Sequence, residues 1–315
     1  MSKTYERWQN KTGRPNEDNR DWRAYNEELV RHGEFLLDYD WITKGWYEEL
    51  EEMNNGKKGA PFQFPNSLIG LQAVWHQLVD YREVEGITRK VAEKAQIPAF
   101  NDFSTINRRV NKLNIEFELP KQGFVSVSTD GTGIKLNNAG EYRYDKYGKK
   151  KQKKYIKVTI SANPLTKEML DCDVSIEGDG LSEHEVSKKH MQRQIGNGKE
   201  IDKFWGDGGF DVLELFNFLE ENNIEAAIKI RDNASEESRG SMRRAREVRE
   251  YKAKGYSAWS RDKQYGKRWL GTEVQISAVK VKFGERVRAK KTENMLKEAK
   301  RKFWAYAKIK AYGLA

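Results

Sequence analysis

From residue 124 onward the chain reads as three strands, a helix, a strand, a helix and a strand, and that order leaves few folds open. The strand segments are 124–136 (FVSVSTDGTGIKL), 155–163 (YIKVTISAN), 168–176 (EMLDCDVSI), 202–207 (DKFWGD) and 225–231 (EAAIKIR). Helices are expected between them at 183–195 and 211–222. In the second, Val212, Leu215, Phe216 and Leu219 recur at helical spacing. Three strands joined by short turns form a meander. Strands that alternate with helices run parallel, through right-handed crossovers. The expected product is an α/β fold, a mixed five-stranded sheet flanked by helices, with the first and fourth strands as central neighbours.

The first strand sends Val125 and Val127 to one face and Ser126, Ser128 and Asp130 to the other. It is expected to end at Asp130-Gly131. An acid at the end of a buried strand costs free energy unless it has a use, although Asp-Gly also suits a plain turn. Asp207 closes the fourth strand, so the fold would set two carboxylates side by side at one edge of the sheet. Such a pair repels, and either shares a proton or binds a cation. Oxygen ligands suit a hard divalent ion such as Mg²⁺. A third acid, Glu273, lies on a helix expected at 269–283, and Lys280 follows seven residues later on the same face. An acid for metal and a lysine for phosphate suit two-metal phosphoryl transfer. The same spacing also fits an exposed helix pair.

Charge points the same way. Residues 1–120 carry 17 Lys and Arg against 20 Asp and Glu, whereas residues 121–315 carry 41 against 28. A basic second part suggests a polyanion, most simply nucleic acid, although ordinary solubilising charge is the alternative. The single cysteine, Cys172, excludes a disulfide framework within the chain and a cysteine-rich zinc site. His32, His76, His184 and His190 are scattered, which argues against a paired-histidine metal motif. Without a membrane-length apolar run or a signal core, the protein is expected to be soluble and intracellular, with no membrane partner.

Upstream of the strands, residues 1–20 form a polar tail and 21–55 carry short helices. Helices are expected at 67–84, at 88–95 and at 104–113, with a break at Gly86. Ile106, Val110 and Leu113 make the buried face of the third. Thr105, Asn107, Arg108, Asn111 and Lys112 point outward, as a DNA-reading helix-turn-helix near 87–113 requires. A small helical bundle with a solvated face is the alternative. Residues 141–154 read as a basic, aromatic-laced loop or hairpin. Residues 233–264 form a basic insertion with a helix near 242–251, and a last helix is expected at 285–312.

Together these segments resemble the DDE transposases of insertion sequences, in the group named after insertion sequence five. The resemblance rests on STDGTGIK (128–135), KYIKVTIS (154–161), FWGDGGFD (204–211), IKIRDNA (228–234) and YGKRWLGTEVQISAVKVKFGE (265–285). The last is similar to the family's Tyr-x2-Arg…Glu-x6-Lys signature, here Tyr265, Arg268, Glu273 and Lys280. FNDFSTINRRV (100–110) is also similar to that group. Two departures stand out: four residues, not three, separate Arg268 from Glu273, and Val281 follows Lys280 where a second basic residue is common.

The resemblance implies a ribonuclease H-like catalytic domain over 121–315, preceded by an all-α DNA-binding region over 21–120. It implies that Asp130, Asp207 and Glu273 are catalytic and hold Mg²⁺ or Mn²⁺, two ions per site. Tyr265, Arg268 and Lys280 would contact DNA near the scissile phosphate. The partners implied are double-stranded DNA, as terminal inverted repeats and as target, and a second copy of the chain in a homodimeric synaptic complex. Such an enzyme would work in the cytoplasm, associated with the nucleoid. An inactive or domesticated DNA-binding derivative is one alternative. Another is an actin-like or sugar-kinase ATPase, to which DGTG (130–133) and GDGG (206–209) are similar as phosphate loops. That reading leaves Glu273, Lys280 and the basic excess without a purpose.

Overall fold

The structure is a computed structural model that describes residues 21–94, 96–136 and 155–314. The tail at 1–20 and the basic segment at 141–154 lie outside the described residues. The chain divides into two units, Met1–Asp38 with Ile309–Ala315, and Tyr39–Lys308. In the smaller, α1 (Trp22–Glu34) starts at Asp21, whose carboxylate accepts the Arg23 and Ala24 N–H groups at 3.0 Å each. Phe35 packs edge-on to Tyr312, ring centroids 5.5 Å apart.

The larger unit opens with α2 (Asp40–Lys44), α3 (Trp46–Asn54), α4 (Asn66–Leu78), α5 (Tyr81–Glu93) and α6 (Phe103–Val110). The break expected at Gly86 falls instead at Asp80. Asp80 and Glu83 form a capping box, with the Asp80 N–H donating to Glu83 Oε2 at 2.8 Å, and this starts a new helix that runs through Gly86. Asp102 caps α6 by accepting the Ser104 and Thr105 N–H groups. α6 ends at Val110, short of the expected Leu113.

The sheet contains β1 (Phe124–Lys135), β2 (Tyr155–Ala162), β3 (Met169–Ile176), β4 (Glu200–Gly206) and β5 (Glu225–Ile228), in the order β3-β2-β1-β4-β5. β1–β2 and β2–β3 are antiparallel, while β1–β4 and β4–β5 are parallel. This is the mixed sheet the element order requires. α7 (Glu183–Gly196) and α8 (Leu213–Glu221) make the crossovers. Val125, Val127, Phe204, Phe210, Phe216 and Leu219 fill the core on one face. Trp205, Ala227, Trp259 and Tyr265 pack together in a second cluster. The polar face expected for β1 is buried as well: Ser126 donates to Asp202 at 2.6 Å and Ser128 to the Ala162 carbonyl at 3.2 Å.

The C-terminal part supplies α9 (Met242–Asp262), which breaks at Gly255, then α10 (Lys267–Gly271), α11 (Glu273–Phe283) and α12 (Thr292–Leu314). The helix expected at 269–283 is thus two helices, and the last begins at Thr292 because 285–287 turn back to β1. Lys135 N–H donates to the Glu285 carbonyl at 2.7 Å, and Val287 N–H to the Lys135 carbonyl at 3.1 Å. Within this unit, adjacent cations of α12 tie two helix ends: Arg301 donates to the Val110 carbonyl of α6, and Lys302 to the Phe283 carbonyl of α11.

Candidate active site

Asp130 does not end its strand. β1 runs through Gly131 and stays paired with β2 as far as Lys135 opposite Tyr155. The parallel ladder with β4 stops sooner, at Ser128 opposite Trp205. Asp130 therefore lies just beyond the point where β4 leaves the sheet, and Asp207 is the first residue after β4. Neighbouring strand ends put two acids together with no bend in β1. At Gly131 the chain passes close to a side chain of α7: a Cβ there would lie 2.4 Å from the Glu183 carboxylate, which would have to move aside.

The Asp207 carboxylate caps the turn at Gly208–Phe210 and accepts the Gly209 N–H at 2.7 Å. Arg231 donates to the Gly208 and Gly209 carbonyls, at 2.7 and 3.3 Å. Buried Asp211 accepts the Arg231 N–H at 3.1 Å and both ends of the Arg244 guanidinium fork, at 2.6 and 3.0 Å. These three residues fix the loop that carries Asp207. The sequence boxes FWGDGGFD and IKIRDNA contained Asp211 and Arg231, but spacing gave them no role.

Glu273 is the first residue of α11, and Arg268 lies in α10. Five positions along an unbroken helix would leave them about 140° apart. Thr272, fully buried and with φ −110° and ψ −55°, interrupts the helix and absorbs the extra residue. Arg268 Nη2 then donates to Glu273 Oε1 at 2.8 Å, and Nη1 lies 3.7 Å from Asp130 Oδ2. Gln275 of α11 donates back to the Gly271 carbonyl at 2.6 Å and holds the two helices together. α11 is thus tied to β1 at both ends, through Arg268 at one and the Lys135–Glu285 pairing at the other.

The Asp130 carboxyl is raised to about 6, chiefly by burial. The Gly131 N–H at 2.8 Å and the Arg268 charge pull it down, and the charges of Glu273 and Asp207 push it up. Asp130 thus lies within electrostatic range of both other acids. Among the described residues, however, no three His, Cys, Asp or Glu side chains converge closely enough to hold an ion together. The cation between Asp130 and Glu273 is the Arg268 guanidinium. The donor set itself, carboxylate oxygens around a point that already attracts positive charge, fits Mg²⁺ or Mn²⁺.

A family model described as Transposase DDE domain matches residues 123–307, more than half of the chain, and a second model of the same description matches residues 30–139. The chain belongs to the DDE transposase family. The sheet, its flanking helices and the N-terminal helical region are those of the ribonuclease H-like transposase fold. The family's substrate is DNA, and no described helix of this transposase is long and apolar enough to cross a membrane.

The other expected site residues are placed unevenly. Tyr265 is 5% exposed, and its hydroxyl donates to the Gly206 carbonyl at 3.1 Å, next to Asp207. Burial raises the phenol to about 12. Tyr265 is placed to brace the end of β4. Lys280 is half-buried, 4.0 Å from Glu285 Oε1, on the helix that Glu273 begins. On α6, Asn107 and Arg108 are exposed, as is Lys112 just beyond it. Thr105 and Asn111 are half-buried and already engaged: Thr105 donates to Asp102 and accepts from Arg108, while Asn111 bonds Asn107 and accepts from buried Arg301.

Proposed function

We propose that this transposase, of the insertion-sequence-five type, cleaves DNA at the ends of its own element and joins the freed 3′-hydroxyls to target DNA. The supporting observation is the placement of Asp130 at the open end of two parallel strands, beside the strand that ends at Asp207 and bridged to Glu273 by Arg268. Asp130, Asp207 and Glu273 would hold two Mg²⁺ or Mn²⁺ ions. When bound, the ions supply Lewis-acid activation of water or a 3′-hydroxyl and stabilise the leaving oxygen. The chain's own residues keep the carboxylates in place: Gly131 N–H for Asp130, Gly209 N–H for Asp207 and the Thr272 break for Glu273. Lys280 and Arg268 would meet phosphates. Residues 21–120 would form the DNA-binding region, with Asn107, Arg108 and Lys112 available to read base edges or phosphates. Residues 121–315 would form the catalytic domain. A homodimer on paired ends is the assembly proposed, in the cytoplasm at the nucleoid.

The test is strand cleavage of a duplex carrying the inverted repeats that flank the gene. Nicking at the repeat boundary is expected with Mg²⁺ or Mn²⁺, none with EDTA, and none on a duplex with scrambled ends. Cleavage that survives chelation would remove the metal from the reaction. ATP hydrolysis without DNA would favour the kinase-like alternative. For the helical region, Arg108→Ala is expected to weaken binding to end sequence by about 1–3 kcal/mol while leaving affinity for random duplex nearly unchanged. Equal loss on both duplexes would reduce Arg108 to a phosphate contact.

A further inference from the structure

We propose that Arg268 is the internal counter-cation of the site. Its guanidinium bridges Asp130 and Glu273 while no divalent ion is bound, and leaves that position for a DNA phosphate when an ion takes both carboxylates. This rests on the reading of those carboxylates as the ion-holding pair.

Three observations carry it. The first is the bridge, with one guanidinium nitrogen 2.8 Å from Glu273 and the other 3.7 Å from Asp130. These are the two acids that a bound ion has to draw together. A divalent ion placed there would face the guanidinium across a few ångströms of poorly solvated space, where like charges repel strongly. The second is incomplete satisfaction. Arg268 is 9% exposed, and its Nε–H is buried with no hydrogen-bond partner among the described residues. A planar fork with five donors that leaves one buried and unpaired is not in the position that suits it best. Phosphate oxygens would supply both the missing acceptor and the opposite charge. The third is the absence, among the described residues, of three acids close enough to hold an ion together, in a fold that brings the three within electrostatic range.

Ion and DNA are then coupled through one side chain. An ion that displaces Arg268 makes it available to the phosphate backbone, and a phosphate that holds Arg268 leaves the carboxylates open to the ion. The coupling has to be reciprocal in affinity.

The experiment measures Mn²⁺ affinity of the full chain by calorimetry, without DNA and with a duplex taken from the DNA flanking the gene. It compares wild type, Arg268→Gln, Arg268→Lys and Glu273→Ala. Without DNA, Arg268→Gln is expected to bind Mn²⁺ about tenfold more tightly, since no bridged state has to open first. Arg268→Lys, whose single ammonium cannot span both acids, should fall between the two. The duplex should tighten Mn²⁺ binding to wild type and lose most of that effect in Arg268→Gln. An Arg268→Gln protein that binds Mn²⁺ no more tightly than wild type, or that responds to the duplex as wild type does, overturns the proposal. Should Arg268→Gln not fold, Arg268→Lys decides, because affinity equal to wild type is then the refuting result. Glu273→Ala separates the two levels. If it retains Mn²⁺ binding, the ion-holding reading fails. If it loses binding while Arg268→Gln gains none, only the role of Arg268 fails.

Discussion

Asp130→Asn is expected to abolish strand cleavage, by on the order of a thousandfold or more, and at the same time to make the metal-free protein more stable at neutral pH. Both effects follow from one placement. Asp130 lies beyond the end of the β4 ladder, partly buried, close enough to Glu273 and Asp207 to feel their charge, with its carboxyl raised to about 6. An acid whose folded pKa lies above its unfolded value near 3.8 binds its proton more tightly in the folded state. Its contribution to stability is complete below pH 3.8 and is lost as pH rises through about 6. Asparagine keeps the shape and can never ionise, so the difference between variant and wild type should be small at pH 4 and should open in favour of the variant by pH 8. The measurement is urea unfolding in EDTA at both pH values, beside cleavage with Mg²⁺. A variant less stable than wild type at pH 8, or a difference that ignores pH, would show that the Asp130 charge is not strained in the fold. Asp207→Ala and Glu273→Ala should lose cleavage to the same degree, since three carboxylates that act as a unit are not additive. Substantial activity in any one of them removes that residue from the site.

The frame of the site was readable because strand order is a local signal. The alternating residues at 124–130, the short segment 202–207 that ends in Asp207 and the order of the elements between them are enough to expect β1 beside β4. The course of β1 beyond Asp130 was open between a strand that continues to 136 and a turn at Asp130-Gly131. Asp-Gly is a turn signal, and it is the pairing of β2, with Ile160 opposite Asp130 and Thr159 opposite Gly131, that carries the strand on. The break between α4 and α5 is present in the sequence as Asp80-x-x-Glu83, whereas Gly86 is no break, since one glycine inside a helix costs only about 1 kcal/mol. The four-residue spacing from Arg268 to Glu273 could not be interpreted from the chain, because what absorbs it is a local break at Thr272 that no residue type requires. The brace around Asp207 joins residues 20 and 33 positions apart, Arg231 and Arg244 to Asp211, and no periodicity reports such pairs.

Gly271→Ala should disable the same site from a residue that touches neither metal nor DNA. Gly271 ends α10 between Arg268 and Glu273, fully inside the protein. A Cβ at this position would lie 2.0 Å from Ser128 Oγ, 3.2 Å from Pro164 Cβ and 3.3 Å from Pro164 Cα. Ser128 is itself buried on β1, two residues before Asp130, with its hydroxyl on the Ala162 carbonyl. A methyl group therefore has to displace the side chain of β1 or push α10 away from the sheet. Overpacking of this kind costs about 1–3 kcal/mol. A shift of about 1 Å in Arg268 and Glu273 relative to Asp130 is enough to slow phosphoryl transfer about a hundredfold. Ser128→Ala removes the atom in closest conflict and leaves the Pro164 contacts. In the Gly271→Ala background it should restore much of the lost stability and part of the activity, whereas alone it should cost only about 1 kcal/mol for one hydrogen bond. Cleavage rates and unfolding midpoints of the four proteins complete a double-mutant cycle, and residues in direct conflict must be strongly non-additive in it. Additive effects, or a Gly271→Ala enzyme as active as wild type, would mean that contact between α10 and β1 does not set the distance between Glu273 and Asp130.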